Sequence, residues 1–187
     1  MTQERPYQTL SSRYLWQSRW YNLRQDQLRA ADGSQFTYTV VEKPDAVWVV
    51  PVTNDGQVVL INQYRYAIDA WCLEVPAGNV EPGSDPHEMA RRELREEIGG
   101  ITDRIVPVAE FYTMNGIGNE VAHIFAALDV TLAQPAREPT EHIRLRLVPI
   151  DQALRLARSG DIKDGPSALA LLLSEPVLRN THGEHAP

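Results

Sequence analysis

The chain has 187 residues, enough for one domain with a sizeable core, and a formal net charge of −7 with a pI near 5.2. That acidic balance argues against a binder of phosphate backbones, whose surfaces are basic, so no nucleic-acid partner is expected. One cysteine, Cys72, excludes an internal disulfide and fits a reducing cytoplasm, and no apolar run approaches the about 18 residues of a membrane span, so a cytoplasmic protein with no membrane partner is expected.

Residues 13–43 alternate aromatic, aliphatic and polar side chains around Ala31-Asp32-Gly33-Ser34, a pattern that predicts a hairpin of two strands. Residues 46–51 and 57–63 are β-branched runs joined by Thr53-Asn54-Asp55-Gly56, in which Asp-Gly is a hairpin turn signal. A short strand follows over 71–75, where Cys72 reads as core filler. The next segment is a helix with marked ends: Asp85 at the N-cap, Pro86 at the first helical position, Glu88 completing a capping box and Gly99 as the stop. Met89, Ala90 and Leu94 form its core face, which leaves Glu93, Glu96 and Glu97 to meet a loop and solvent. Strands are expected over 105–111, 121–130 and 143–148. Pro149-Ile150-Asp151 then opens a helix that buries Ala153, Leu154 and Ala157, and a last helix runs from Gly165 or Pro166 to Leu173. The sum is an α+β fold with mixed sheets sandwiched between helices. Its expected divisions are a β extension over 1–43, a main domain over 44–178 and a disordered polar tail over 179–187.

Chemistry concentrates in the helix that ends at Gly99. On an α-helix the positions i, i+3 and i+4 are neighbours, so Glu93, Glu96 and Glu97 bring three carboxylates to one patch. Crowding of this kind repels itself unless a hard cation such as Mg²⁺ or Mn²⁺ sits among the oxygens. The plain alternative is a solvated, salt-bridged surface, because Arg91, Arg92 and Arg95 are interleaved with the acids. His87, His123 and His142 have no His or Cys partners at ligand spacing and read as ordinary residues rather than a zinc site.

The frame around the acids decides between these readings. From Gly78 to Gly99 the chain resembles the Nudix box, G-x5-E-x7-R-E-U-x-E-E-x-G-U, at Gly78, Arg92, Glu93, Leu94, Glu96, Glu97 and Gly99. It departs at Ser84, where the first Glu belongs, and at Gly100, where the last aliphatic belongs, with Ile101 one residue late. Gln63-Tyr64-Arg65, Leu73-Glu74-Val75-Pro76-Ala77-Gly78 and Ile162-Lys163-Asp164-Gly165 are similar to elements of the ADP-ribose pyrophosphatase branch of Nudix hydrolases. That resemblance implies a Nudix fold and metal-dependent hydrolysis of a nucleoside diphosphate sugar, ADP-ribose first, to AMP and a sugar phosphate.

The same resemblance implies roles for single residues. Glu93, Glu96, Glu97 and the carbonyl of Ala77 would ligate Mg²⁺ or Mn²⁺, with Arg92 orienting the carboxylates. Arg65 would contact a substrate phosphate, for which a planar fork is suited. Glu141, with Glu138 in reserve, would accept the proton of the attacking water. Trp20 and Tyr38 would stack the base, one from each subunit of a homodimer built through the N-terminal strands, or else fill the core face of their hairpin. Lys43, Gly116 and Glu120 complete the expected substrate contacts. Asn115 stands where ADP-ribose enzymes tend to carry Pro, which leaves GDP-mannose and other nucleoside diphosphate sugars open. Ser84 leaves open a Nudix-fold sensor that binds nucleotide without cleaving it.

Overall fold

A computed structural model describes residues 5–136 and 142–183, with side chains to residue 180. Glu138 and Glu141 lie outside the described residues. The chain divides into two compact units, one from residues 1–45 with 112–121 and one from 46–111 with 122–187.

The first unit is a three-stranded antiparallel meander of β1 (Tyr7–Gln17), β2 (Asn22–Ala30) and β3 (Gln35–Glu42). The expected hairpin is therefore the second half of a larger sheet. Residues 7–12 were not read as strand because Gln, Thr and Ser dilute the alternation there, and the ladder to β2, from Tyr7 opposite Ala30 onward, orders them instead. The β2–β3 turn falls at the expected place, with Gly33 at φ 87° and the Asp32 carboxylate accepting from the Ser34 amide at 2.9 Å. At the other turn Ser18 Oγ accepts from the amides of Trp20 and Tyr21 at 3.2 and 3.1 Å.

The loop of residues 112–121 belongs to this unit. Its Ile117 carbonyl accepts from the Val41 amide at 2.7 Å, its Asn119 side chain accepts from the Lys43 amide at 2.9 Å, and its Val121 amide donates to Asp45 at 3.0 Å.

The second unit is built on an eight-stranded mixed sheet. Its strands are β4 (Ala46–Thr53), β5 (Gln57–Arg65), β6 (Ala70–Glu74), β7 (Ala77–Asn79), β8 (Gly100–Ile101), β9 (Arg104–Tyr112), β10 (Val121–Leu132) and β11 (Ile143–Pro149). The central path is β11-β5-β4-β10-β8, with β6 on β5, β7 on β4 and β9 on β10; β4 and β10 run parallel.

Both faces of the sheet are covered, and the strand period of two decides which side chain goes where. Val47, Val49, Val59 and Ile61 face helix α1 (Pro86–Ile98) through Met89, Ala90, Leu94 and Ile98. Val50, Val52, Val58 and Leu60 face α2 (Ile150–Ser159) and α3 (Gly165–Gly183) through Ala153, Ala157, Ala170, Leu171 and Leu178. Each such valine or leucine contributes about 1.5–3 kcal/mol on burial.

Two helix ends differ from expectation. The Asp85 carboxylate accepts from the His87 amide at 3.1 Å, but Glu88 lies beside His87 and Arg91, so the capping box closes on its Asp85 side only. Helix α3 passes through Pro176 and reaches Gly183, which makes residues 179–183 helix rather than disordered tail. An internal proline costs a helix about 3 kcal/mol. Fully buried Leu171 and Leu178 on either side of it, and an Arg179–Glu175 bond of 2.8 Å, offset that cost. No helix of the described residues is long and apolar enough to cross a membrane.

Candidate active site

Helix α1 carries the acids, and its ends fix their orientation. Gly99, at φ 68°, donates to the carbonyls of Leu94 and Arg95 and ends the helix. A Cβ at that position would also meet the Ala133 carbonyl oxygen at 2.2 Å, so glycine is required twice over.

The three carboxylates do not share one environment. Glu97 is only 4% exposed and belongs to the buried side of α1, which corrects the expectation that it faces loop and solvent; one turn after Glu93, it points back at strand β7. There its Oε2 accepts from the Ala77 amide at 3.1 Å, and this bond offsets part of the cost of burying the charge. Glu93 is half-buried over Gly78: a Cβ built on that glycine would lie 2.1 Å from the Glu93 carboxyl carbon. Glu96 is turned toward Arg92, whose Nε donates to it at 3.0 Å while Nη1 donates to Glu81 at 2.8 Å. Those two acids hold the Arg92 guanidinium well above its ordinary pKa, Glu96 first.

Among the described residues no three His, Cys, Asp or Glu side chains are gathered where one metal ion would hold them together. The donor chemistry nevertheless fits a hard divalent cation: the side-chain donors are all oxygen, and the space above Gly78 that a side chain would fill is taken by the Glu93 carboxylate. Of the Glu96 carboxylate, Arg92 engages Oε1.

Arg65, at the end of β5, is fixed from one side. Its Nε donates to Glu74 Oε1 at 2.9 Å and its Nη2 to Glu74 Oε2. The Glu74 bond is the first cause of its raised pKa, and the charges of Asp164 and Glu97 add to it. Arg65 therefore lies in the field of Glu97 and of Asp164, whose Oδ2 accepts from the Ser167 amide at 2.9 Å at the start of α3. Glu74 carries no role in the sequence reading. The signal was available: an acid in the apolar run Trp71-Cys72-Leu73-Glu74-Val75 needs a buried partner.

The remaining expected contacts are in the first unit. Trp20 and Tyr38 are 53% and 40% exposed, so neither fills a core. Arg19 lies 4.2 Å from the Trp20 ring centroid, and the Tyr38 hydroxyl donates to the Gly116 carbonyl. Lys43 and Glu120 close on each other: buried Glu120 accepts from Lys43 Nζ and, at 2.6 Å, from Thr113 Oγ1. His87 and His123 have ordinary partners, the Ile105 carbonyl at 3.2 Å and Glu110 at 2.9 Å.

Comparisons with known proteins bear on the family and the fold. Residues 7–41 match the nucleoside diphosphate sugar hydrolase N-terminal domain, and residues 42–168 match the NUDIX domain. An ADP-ribose pyrophosphatase of Bacillus subtilis (strain 168) is 28% identical over 165 residues, covering 87% of this chain and 89% of that protein. One of Mycobacterium tuberculosis (strain ATCC 25618 / H37Rv) is 30% identical over 179 residues, covering 93% and 86%. The solved structure of an ADP compounds hydrolase superposes with a TM-score of 0.83 at 20% identity, over 95% of this chain and 96% of that one, a likeness of fold. With the box helix, the mixed sheet and a family match over more than half its length, the chain belongs to the NUDIX family.

Proposed function

We propose that the chain is a hydrolase that splits the pyrophosphate bond of a nucleoside diphosphate sugar, ADP-ribose first, into AMP and a sugar phosphate. The observation that carries this reading is the pairing of buried Glu97, tied to the Ala77 amide, with Glu93 seated over Gly78. Two carboxylates of the box helix are thus laid against the backbone of Ala77 and Gly78 and form an acidic cradle. The relatives named ADP-ribose pyrophosphatase, and the match of residues 7–41, support the substrate class.

Glu93, Glu97, Glu96 and the Ala77 carbonyl are the groups proposed to hold Mg²⁺ or Mn²⁺. When bound, the ion neutralises pyrophosphate oxygens and favours ionisation of a nearby water. Arg65 binds a phosphate oxygen through the part of its fork that Glu74 does not use. Arg92 keeps Glu96 oriented. Glu141, or Glu138, takes the proton of the attacking water. Trp20 and Tyr38 offer ring faces to the base, one from each subunit of a homodimer, and Gly116 contributes backbone. Lys43 and Glu120 shape the loop that carries Gly116, since each neutralises the other.

Incubation with Mg²⁺ and ADP-ribose should release AMP, and a panel with GDP-mannose and other nucleoside diphosphate sugars ranks the substrates. No nucleoside monophosphate from any of them at high protein concentration overturns the reading. The engagement of Glu96 by Arg92, together with Ser84, favours one competitor, a sensor that binds without cleaving. It requires saturable binding with the ligand intact after hours.

A further inference from the structure

We propose that Glu74 is a positioning residue that locks the Arg65 guanidinium by one edge, so that its opposite edge is presented to an oxyanion of the substrate. The inference rests on the hydrolase reading above and names a residue which that reading leaves without a task.

Strand register sets up the geometry. Arg65 pairs with Ala70, Gln63 with Cys72 and Ile61 with Glu74, so these six side chains share one face of the β5–β6 ladder. The Arg65–Glu74 pair therefore runs diagonally across the Gln63–Cys72 rung. The Glu74 side chain is 3% exposed, whereas that of Arg65 is 44% exposed. One end of the pair is thus anchored in the protein and the other reaches solvent. The Cys72 thiol beneath it is pushed up by burial and then by the Glu74 charge, as expected of a carboxylate fixed close by.

Donation through Nε and Nη2 uses the full edge of the fork that faces Glu74. Nη1 then has no hydrogen-bond partner among the described residues, and rotation about the last side-chain bond is blocked by two bonds rather than one. An ion pair with one partner buried is weak evidence for stability, because desolvation of the buried carboxylate cancels much of the attraction. Its value lies in orientation: an unanchored arginine must lose rotamer freedom each time it meets an anion, and Glu74 removes that cost beforehand.

The test separates this claim from the substrate reading. With ¹⁵N-labelled arginine, the Arg65 Nε–H resonance, assigned by its loss in Arg65→Lys, is followed while inorganic pyrophosphate and, separately, ADP-ribose are titrated into the metal-free protein. In the wild type the resonance should exchange slowly and shift with ligand. In Glu74→Gln, which keeps the shape but breaks the two-point bond, it should exchange faster, and affinity for both ligands should fall by about tenfold. Glu74→Asp, which keeps the charge, should restore part of that loss. In the double variant Glu74→Gln/Arg65→Lys, binding should be no weaker than in Arg65→Lys alone, because the two act as one unit. Wild-type affinity in Glu74→Gln, penalties that multiply in the double variant, or an Arg65 resonance insensitive to both ligands overturns the inference. A response to pyrophosphate with none to ADP-ribose counts against ADP-ribose as the substrate while leaving Glu74 its role.

Discussion

Strands β1 and β4 were built by the same pairing rules and ended in opposite environments. All eleven residues of β1 are exposed, Tyr7, Leu10, Tyr14, Leu15 and Trp16 among them, whereas seven of the eight residues of β4 are buried. The second unit has two covered faces and carries the acids of α1; the first is a single sheet whose order rests on its ladders, its turns and a loop tied to β3. A three-stranded sheet with large apolar side chains in water is at the edge of independent stability, and such surface generally marks a contact waiting for a partner. The proposed chemistry falls where packing is complete, and the proposed recognition where it is not.

The largest effect expected from the covered unit is chemical. Glu97→Gln should lower kcat for nucleoside monophosphate release by about a thousandfold. The amide oxygen can still accept from Ala77, so the circular-dichroism melt should move little; activity within a few-fold of wild type would dissociate Glu97 from catalysis. Next, Leu94→Ala, at a fully buried position of α1, should cost about 3 kcal/mol in urea unfolding. A cost near zero would mean that α1 is less tightly held than its burial indicates.

Gly78→Ala tests the cradle itself. The added methyl meets the far end of the Glu93 side chain rather than backbone, so stability should change by less than about 1 kcal/mol while kcat drops about tenfold or more. From the exposed unit, Trp16→Ala should alter the unfolding free energy of the isolated chain by only about 0.5 kcal/mol. If the proposed homodimer uses these strands, the same change should shift light scattering toward the mass of one chain; a wild-type mass of one chain at micromolar concentration removes the dimer altogether.

A further small effect concerns acid. Arg24, through its hydrogen bond, and then Ser12 hold the Asp26 carboxyl of β2 below its ordinary value of 3.8. A depressed folded pKa contributes stability that is present above the unfolded value and lost as pH falls through the folded one. Asp26→Asn should therefore flatten the stability curve below about pH 4, by less than about 1 kcal/mol. An unchanged acid limb would show that the pair carries no net stabilisation.

Legibility in the sequence followed the range of the interactions. The turns at Gly33 and Gly56, and the start and stop of α1, were readable because each depends on residues within one or two turns of chain. The first half of strand β1, residues 7–12, was missed because its polar residues hide the alternation and only pairing with β2 orders it. The course of α3 past Pro176 was missed because a local rule forbids it, while the burial of Leu178 is a property of the packed core. The placement of Glu97 was misread for a related reason: its angle on the helix lies beside the core face, and strand β7 was needed to cover it. Glu74 sat in plain view within an apolar run, yet its partner lies nine residues away across a hairpin.

The sequence by itself determined that a Glu-rich helix follows a Gly-bearing segment, because helical periodicity and capping act between near neighbours, while the family came from the resemblance of residues 78–99 to the Nudix box. Only the tertiary structure decided that Glu97 is buried against the Ala77 amide, that Glu96 is engaged by Arg92 and that Arg65 is gripped by Glu74. Those assignments depend on which strand is laid against which helix, and desolvation, which distinguishes three chemically identical carboxylates, exists only once they have been packed.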